Sequence, residues 1–178
     1  MSGQVADVAE DITSSDVATD ITSGAQAAPH NKKVLVIDDN PTIVELIRHA
    51  VRLQGKYDVV VAYDGVQGLE QFYREQPDCV IVDVKMPRMD GYQVVRCIRG
   101  DSDSATAHTP LIILSAMTEE ADQMTGLLSG VDEYLAKPFR PSVLCATLER
   151  VMRITPEQRE QRLEQLAADN QKEACGDT

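Results

Sequence analysis

The stretch Cys79-Val80-Ile81-Val82-Asp83 constrains the fold more than any other part of the chain. It is a short, largely β-branched run, preceded by Pro77 and followed by Met86-Pro87, and such a run reads as a strand buried on both faces. Asp83 therefore falls at the tip of a buried strand. In open α/β sheets ligands bind at the carboxyl ends of the strands, so an acid delivered there is a candidate for chemistry.

The same grammar recurs along the chain. Val34-Leu35-Val36-Ile37 is a second buried-strand run, and it ends in the acid pair Asp38-Asp39. Asn40 can cap a helix that opens with Pro41 at its first position, where the missing N–H is not needed. Ile43, Leu46, Ile47, Ala50, Val51 and Leu53 form that helix's expected apolar face, and Gly55 stops it. Tyr57 to Ala62 reads as a strand, Asp64-Gly65 as a turn, and Val66, Leu69, Phe72 and Tyr73 mark a second helix. After Asp83, a loop through Asp90-Gly91 leads to a third helix carrying Tyr92, Val94, Val95, Cys97 and Ile98.

A polar loop from Gly100 to Thr109 precedes a fourth strand, Leu111 to Ser115. Thr118 can cap a fourth helix containing Met124, Leu127 and Leu128, with Gly130 past its end. A short fifth strand, Glu133 to Ala136, runs into Lys137-Pro138-Phe139, where a cis peptide bond can sit. Pro141 starts a fifth helix that reaches about Ile154, with Val143, Leu144, Leu148, Val151 and Met152 on its apolar face.

Both ends of the chain read differently. Residues 1–32 repeat a short unit, Asp7 to Ser15 recurring as Asp16 to Gly24, in an acidic, Ser/Thr-rich segment expected to be a disordered arm. Residues 155–178 open with a capping box, Thr155-Pro156-Glu157-Gln158, and continue as a charged helix with few large apolar residues, expected to be solvated and frayed from about Asn170. The domain is thus expected over residues 33–154.

Strands alternating with helices imply a parallel sheet with helices on both faces, because parallel strands need crossovers. All strand carboxyl ends then share one edge. On it fall Asp38-Asp39, Asp83, Ser115 and Lys137. Taken singly, each has a plainer reading: a helix-start acid cluster, a turn acid, an ordinary strand-end serine, a solvated lysine. Their convergence on one edge decides against those readings.

Charge and cysteine usage narrow the partners. A formal net charge of -12 argues against a non-specific nucleic-acid or anionic-membrane surface and suits protein partners and cations. No apolar run approaches a membrane span and no secretory signal pattern opens the chain, so the expected location is cytoplasmic. Cys79, Cys97, Cys145 and Cys175 show no C-x-x-C pair and are expected to be reduced thiols, the first three in core or half-buried positions and Cys175 exposed.

From Lys33 to Ile154 the chain resembles the receiver domain of bacterial response regulators. The resemblance rests on Val34-Leu-Val-Ile-Asp38-Asp39-Asn40, Val82-Asp83-Val-Lys-Met86-Pro87-Arg-Met-Asp90-Gly91, Ser115-Ala116, and Tyr134-Leu-Ala-Lys137-Pro138-Phe139. It implies a flavodoxin-like, doubly wound five-stranded sheet of order 2-1-3-4-5. It also implies a single-domain phosphoacceptor of a two-component or phosphorelay system rather than a dedicated enzyme. A sensor histidine kinase or histidine phosphotransfer protein would be the donor, and an effector in trans the reader. Neither direct nucleic-acid nor membrane binding is expected, and a homodimer of the phosphorylated form is a further expectation.

The chemistry expected of the site follows from its charges. Crowded carboxylates repel, and oxygen-only ligands suit Mg²⁺, with Asp39 and Asp83 as direct ligands, Asp38 direct or through water, and the backbone carbonyl of Lys85 completing the set. Asp83 is the carboxylate nucleophile that becomes an aspartyl phosphate, and Lys137 neutralises the phosphoryl oxygens. The resemblance adds a readout in which Ser115 swings to the phosphoryl group and the Tyr134 ring moves inward. Two alternatives carry less. A phosphatase of the haloacid dehalogenase type would place a second Asp two residues after the nucleophile, where this chain has Lys85, and a phosphate-independent docking module would not need the acid, serine and lysine set.

Overall fold

The computed structural model describes residues 31–116, 130–155 and 157–161. Within them, strands β1 (Lys32–Ile37), β2 (Tyr57–Ala62), β3 (Cys79–Asp83), β4 (Leu111–Ser115) and β5 (Glu133–Ala136) form one parallel sheet in the order β2-β1-β3-β4-β5. The connecting helices are α1 (Pro41–Arg52), α2 (Gly65–Glu75), α3 (Gly91–Arg99), the single turn α4 (Ser104–Ala107) and α5 (Pro141–Val151). The expected fold class and strand order are those observed.

Successive strand residues point to opposite faces, and the core divides accordingly. Val34, Val36, Ile81, Ile112 and Leu114 pack with Val44, Ile47 and Val51 of α1 and Leu144, Leu148 and Val151 of α5. Leu35, Ile37, Val80, Val82, Leu111 and Ile113 pack on the other face with Phe72 of α2 and Val94, Val95 and Ile98 of α3. Each such side chain contributes about 1.5–3 kcal/mol by leaving water. The sheet is therefore a rigid base for whatever its tips carry.

Local chemistry starts the helices at that edge. The Asn40 side chain accepts from the Thr42 N–H at 3.0 Å with Pro41 next in sequence, and Asp64 accepts from Gln67 N–H at the start of α2. Asp90 and Gln93 form a reciprocal capping box at the start of α3. The Lys137–Pro138 bond is cis.

Several side chains lie elsewhere than their periodicity implies. Leu46, Leu53, Val66, Tyr73 and Val143 are exposed, Leu53 by 73%, whereas Val44 is fully buried. A helix laid on a sheet buries only a narrow stripe; Leu46, Val66, Tyr73 and Val143 sit on its flanks, and Leu53 lies past the last residue of α1. On α2 the stripe is made by Gly65, Gly68 and Phe72. A Cβ on Gly68 would lie 2.5 Å from Ile37 Cδ1, so close approach to the sheet replaces a large side chain there. Cys97 is exposed on α3, while Cys79 and Cys145 are buried.

Two element boundaries also differ. The expected loop from Gly100 to Thr109 contains α4, whose first turn is capped by Asp103 accepting from Thr106 N–H. Helix α5 ends at Val151. The expected fourth helix, with Thr118, Met124, Leu127 and Leu128, lies outside the described residues, as do the N-terminal arm through residue 30 and Cys175.

Beyond α5, Thr155 N–H donates to Gln158 Oε1 and Gln158 N–H to Thr155 Oγ1, the expected capping box, and residues 157–161 are helical. Arg159 departs from the expected solvated face. It is buried, because a carboxylate of the core receives it. Among the described residues no helix is long and apolar enough to cross a membrane.

Candidate functional site

Parallel pairing brings the strand-end residues side by side. The register Ile37↔Val82 sets Asp38 next to Asp83, and Asp83↔Leu114 sets Ser115 one step beyond. Ser115↔Ala136 then places Lys137 just past the end of β5, where its N–H donates to the Ser115 carbonyl at 2.7 Å. Each residue is thus positioned by the backbone pairing of the strand that it ends or follows.

Asp38, Asp39 and Asp83 each offer a carboxylate oxygen, and the three oxygens lie within 4.8 Å of one another. Asp38 is fully buried and Asp83 nearly so, while Asp39 is exposed. One Asp38 oxygen accepts from the Asn40 N–H at 2.9 Å, which fixes the turn from β1 into α1. The Lys137 ammonium donates to Asp38 Oδ2 at 2.7 Å and to Asp83 Oδ1 at 2.8 Å. Three carboxylates against one ammonium leave two negative charges in this small volume.

That imbalance is reflected in the acid–base behaviour of the pair. Burial pushes the Asp83 carboxyl above its usual range, Lys137 pulls it back, and the charges of Asp38 and Asp39 push it up again. For Lys137, burial works against the charged form, but the hydrogen bonds to Asp38 and Asp83 outweigh it and raise the ammonium above the ordinary lysine value. At 4.8 Å and an effective dielectric near 20, each carboxylate pair repels by about 3.5 kcal/mol before screening. A hard divalent cation with oxygen ligands fits this donor set, since it removes two units of negative charge and asks for no nitrogen or sulfur ligand.

The remaining expected residues surround this centre without all joining it. Ser115 is buried at the tip of β4. Tyr134 lies on β5, half-buried against the core cluster that includes Ile113 and Val131. Lys85 follows Asp83 by two residues in the loop that leaves β3, and its side chain is exposed.

That loop is pinned by contacts that the sequence does not announce. Arg88, with a left-handed φ of 71°, forms an ion pair with the buried Asp64 of the β2–α2 turn. Gly91 N–H donates to the Val84 carbonyl at 2.9 Å, and a Cβ on Gly91 would lie 2.2 Å from the Asp83 carbonyl oxygen. A second charged cluster, Arg99, Asp132 and Arg159, lies at the opposite edge of the sheet. Neither pairing follows a local spacing, so no sequence signal announces them.

Comparison with known proteins agrees with this geometry. Residues 34–149 match the response regulator receiver domain, and the chain belongs to that family. It carries the receiver domain of a response regulator of two-component signalling. It is 43% identical over 124 residues to a probable transcriptional regulator, ycf27, of Guillardia theta, covering 70% of this chain and 46% of that protein. It is 37% identical over 123 residues to the alkaline phosphatase synthesis transcriptional regulatory protein PhoP of Bacillus subtilis (strain 168), covering 69% and 49%. The chain thus spans about half the length of the curated relatives it matches.

Among solved structures, the chemotaxis protein CheY4 of Vibrio cholerae aligns at a TM-score of 0.64 with 34% identity, covering 68% of this chain and 99% of that one. The receiver domain of the sensor histidine kinase PA1611 of Pseudomonas aeruginosa PAO1 aligns at 0.62 with 31% identity, covering 69% and 98%. That structure holds a magnesium ion in its active-site cleft.

Proposed function

We propose that this receiver accepts a phosphoryl group on Asp83 from a phosphohistidine of a partner histidine kinase or phosphotransfer protein, and that the modified domain acts on a separate effector. The observation that carries the reading is the Lys137 ammonium bridging Asp38 and Asp83 at 2.7 and 2.8 Å beside the exposed Asp39. A carboxylate nucleophile, a fixed cation and a divalent-cation donor set meet at one strand edge. The magnesium in the active-site cleft of the PA1611 receiver supports a divalent cation held by Asp38, Asp39 and Asp83 here, with the backbone carbonyl of Lys85 as a further ligand. When bound, Mg²⁺ supplies charge neutralisation at the transferring phosphoryl group.

The chain's own residues supply the rest. An Asp83 carboxylate oxygen attacks phosphorus while the P–N bond of the donor breaks, its electron pair leaving on the imidazole nitrogen. Lys137, already within hydrogen-bond reach of Asp83, stays charged across the neutral range and faces the oxygens on which negative charge gathers. Asp38, held by Asn40 and Lys137, keeps the ammonium aimed at the nucleophile. Ser115 at the next strand tip and Tyr134 on β5 are the readout residues, responding to a dianion placed between Asp83 and Lys137.

Phosphoramidate tests this reading, because its P–N bond is that of a phosphohistidine. With Mg²⁺ present, the wild-type chain is expected to gain one base-labile phosphoryl group that hydroxylamine cleaves, as an acyl phosphate requires, and Asp83→Asn to gain none. Equal labelling of the two would overturn the assignment.

A further inference from the structure

Arg159 lies buried at the sheet edge opposite the carboxylates. Its Nε donates to Asp132 Oδ1 at 2.7 Å and its Nη2 to the Val151 carbonyl, at the end of α5, at 2.8 Å. Arg99, the last residue of α3, donates to Asp132 Oδ2 at 3.1 Å and to the carbonyls of Gly130, Ala107 and Thr109 at 2.8 Å each. The Leu111 N–H at the start of β4 donates to the same Oδ2 at 2.8 Å. One carboxylate therefore ties the segment after α5 to α3, β4 and β5.

Strand β5 is four residues long and sits between two charged anchors. Asp132 stands immediately before it and Lys137 immediately after it. Five residue steps at a strand's rise separate them by roughly 16 Å. At one end Lys137 grips Asp38 and Asp83, and its N–H ties the strand to the Ser115 carbonyl at 2.7 Å. At the other end Asp132 grips Arg159.

We propose that Arg159 and Asp132 form a latch that holds the segment after α5 against the receiver and is loosened when Asp83 is phosphorylated. The inference rests on the phosphoacceptor reading. A dianion on Asp83 gives Lys137 a new acceptor and rearranges contacts it now makes to two carboxylates. Because Lys137 is fastened through its backbone to the tip of β4, the rearrangement is passed into β5. The bonds at Asp132 are already made at 2.7 to 3.1 Å, near their optimum, so displacement of β5 in any direction lengthens some of them. A merely structural staple would hold the same contacts and ignore the state of Asp83.

Coupling between two sites is reciprocal, and that provides the test. Amide exchange of the full chain is measured with and without beryllofluoride and Mg²⁺, and beryllofluoride affinity is measured for wild type, Arg159→Ala and the charge-retaining Arg159→Lys. Residues 157–161 are expected to exchange about fivefold faster in the beryllofluoride complex, and Arg159→Ala to bind beryllofluoride about fivefold more tightly than wild type, with Arg159→Lys between them. Binding of beryllofluoride with unchanged exchange at 157–161 and equal affinities would overturn the latch while leaving the phosphoacceptor reading intact. Absence of beryllofluoride binding would overturn both.

Discussion

Removing Asp39 separates the electrostatic account of the site from a purely structural one. Asp39 is the exposed member of the acid cluster, so Asp39→Ala disturbs no packing, yet its carboxylate oxygen lies within 4.8 Å of those of Asp38 and Asp83. Without it, the local charge falls from two negative to one, and a divalent cation loses both a ligand and half of its electrostatic incentive. The buried pair Asp38 and Asp83 alone repel by about 3.5 kcal/mol at a dielectric near 20, and Lys137 already offsets much of that. The variant should therefore melt slightly higher than wild type in EDTA. In wild type, Mg²⁺ at ten times its dissociation constant adds about 1.4 kcal/mol, which moves the melting temperature by roughly 3–6 °C for a domain of this size. In Asp39→Ala that shift should fall below about 1 °C, and calorimetric titration should show affinity weaker by tenfold or more. An equal Mg²⁺-dependent shift in the two proteins would exclude Asp39 as a ligand of the cation.

Three further outcomes follow from the same geometry. Because the Asp83 pKa is raised in the folded state, its ionisation costs stability that is absent below the unfolded carboxyl value and accrues as pH rises through the folded one. In EDTA, the stability of Asp83→Asn relative to wild type should thus increase from pH 3 to pH 7, and a flat difference in urea melts would contradict it. Lys137→Ala should still fold but slow labelling by phosphoramidate by about 10²-fold, as expected for loss of a donor that faces developing charge, and labelling at the wild-type rate would exclude that role. Gly91→Ala forces a Cβ to 2.2 Å from the Asp83 carbonyl oxygen and should cost about 3 kcal/mol, read as a drop of about 10 °C in the melting temperature.

The sheet was legible because its central strands are buried on both faces, so Val34–Ile37, Cys79–Val82 and Leu111–Leu114 are unbroken apolar runs whose ends need no tertiary knowledge. The candidate site was legible for the same reason: a parallel sheet puts every strand end on one edge, where Asp83 and Ser115 close their strands and Asp38 and Lys137 follow theirs. The helix surfaces were less so. Periodicity marks large apolar residues, whereas α2 meets the sheet through Gly68, and that contact is visible only once Ile37 is beneath it. Pairings between distant charges were illegible altogether. Arg159 reads as one more residue of a charged helix until the fold brings Asp132 to it, 27 positions away in sequence, and Arg88 finds Asp64 across 24.

Tandem mass spectrometry after incubation with acetyl phosphate and Mg²⁺ decides whether Asp83 is the phosphoacceptor. The expected result is a gain of one phosphoryl group confined to the peptide containing Asp83, absent when EDTA replaces Mg²⁺. A phosphoryl group found on another residue, or undiminished modification of Asp83→Asn, would contradict it.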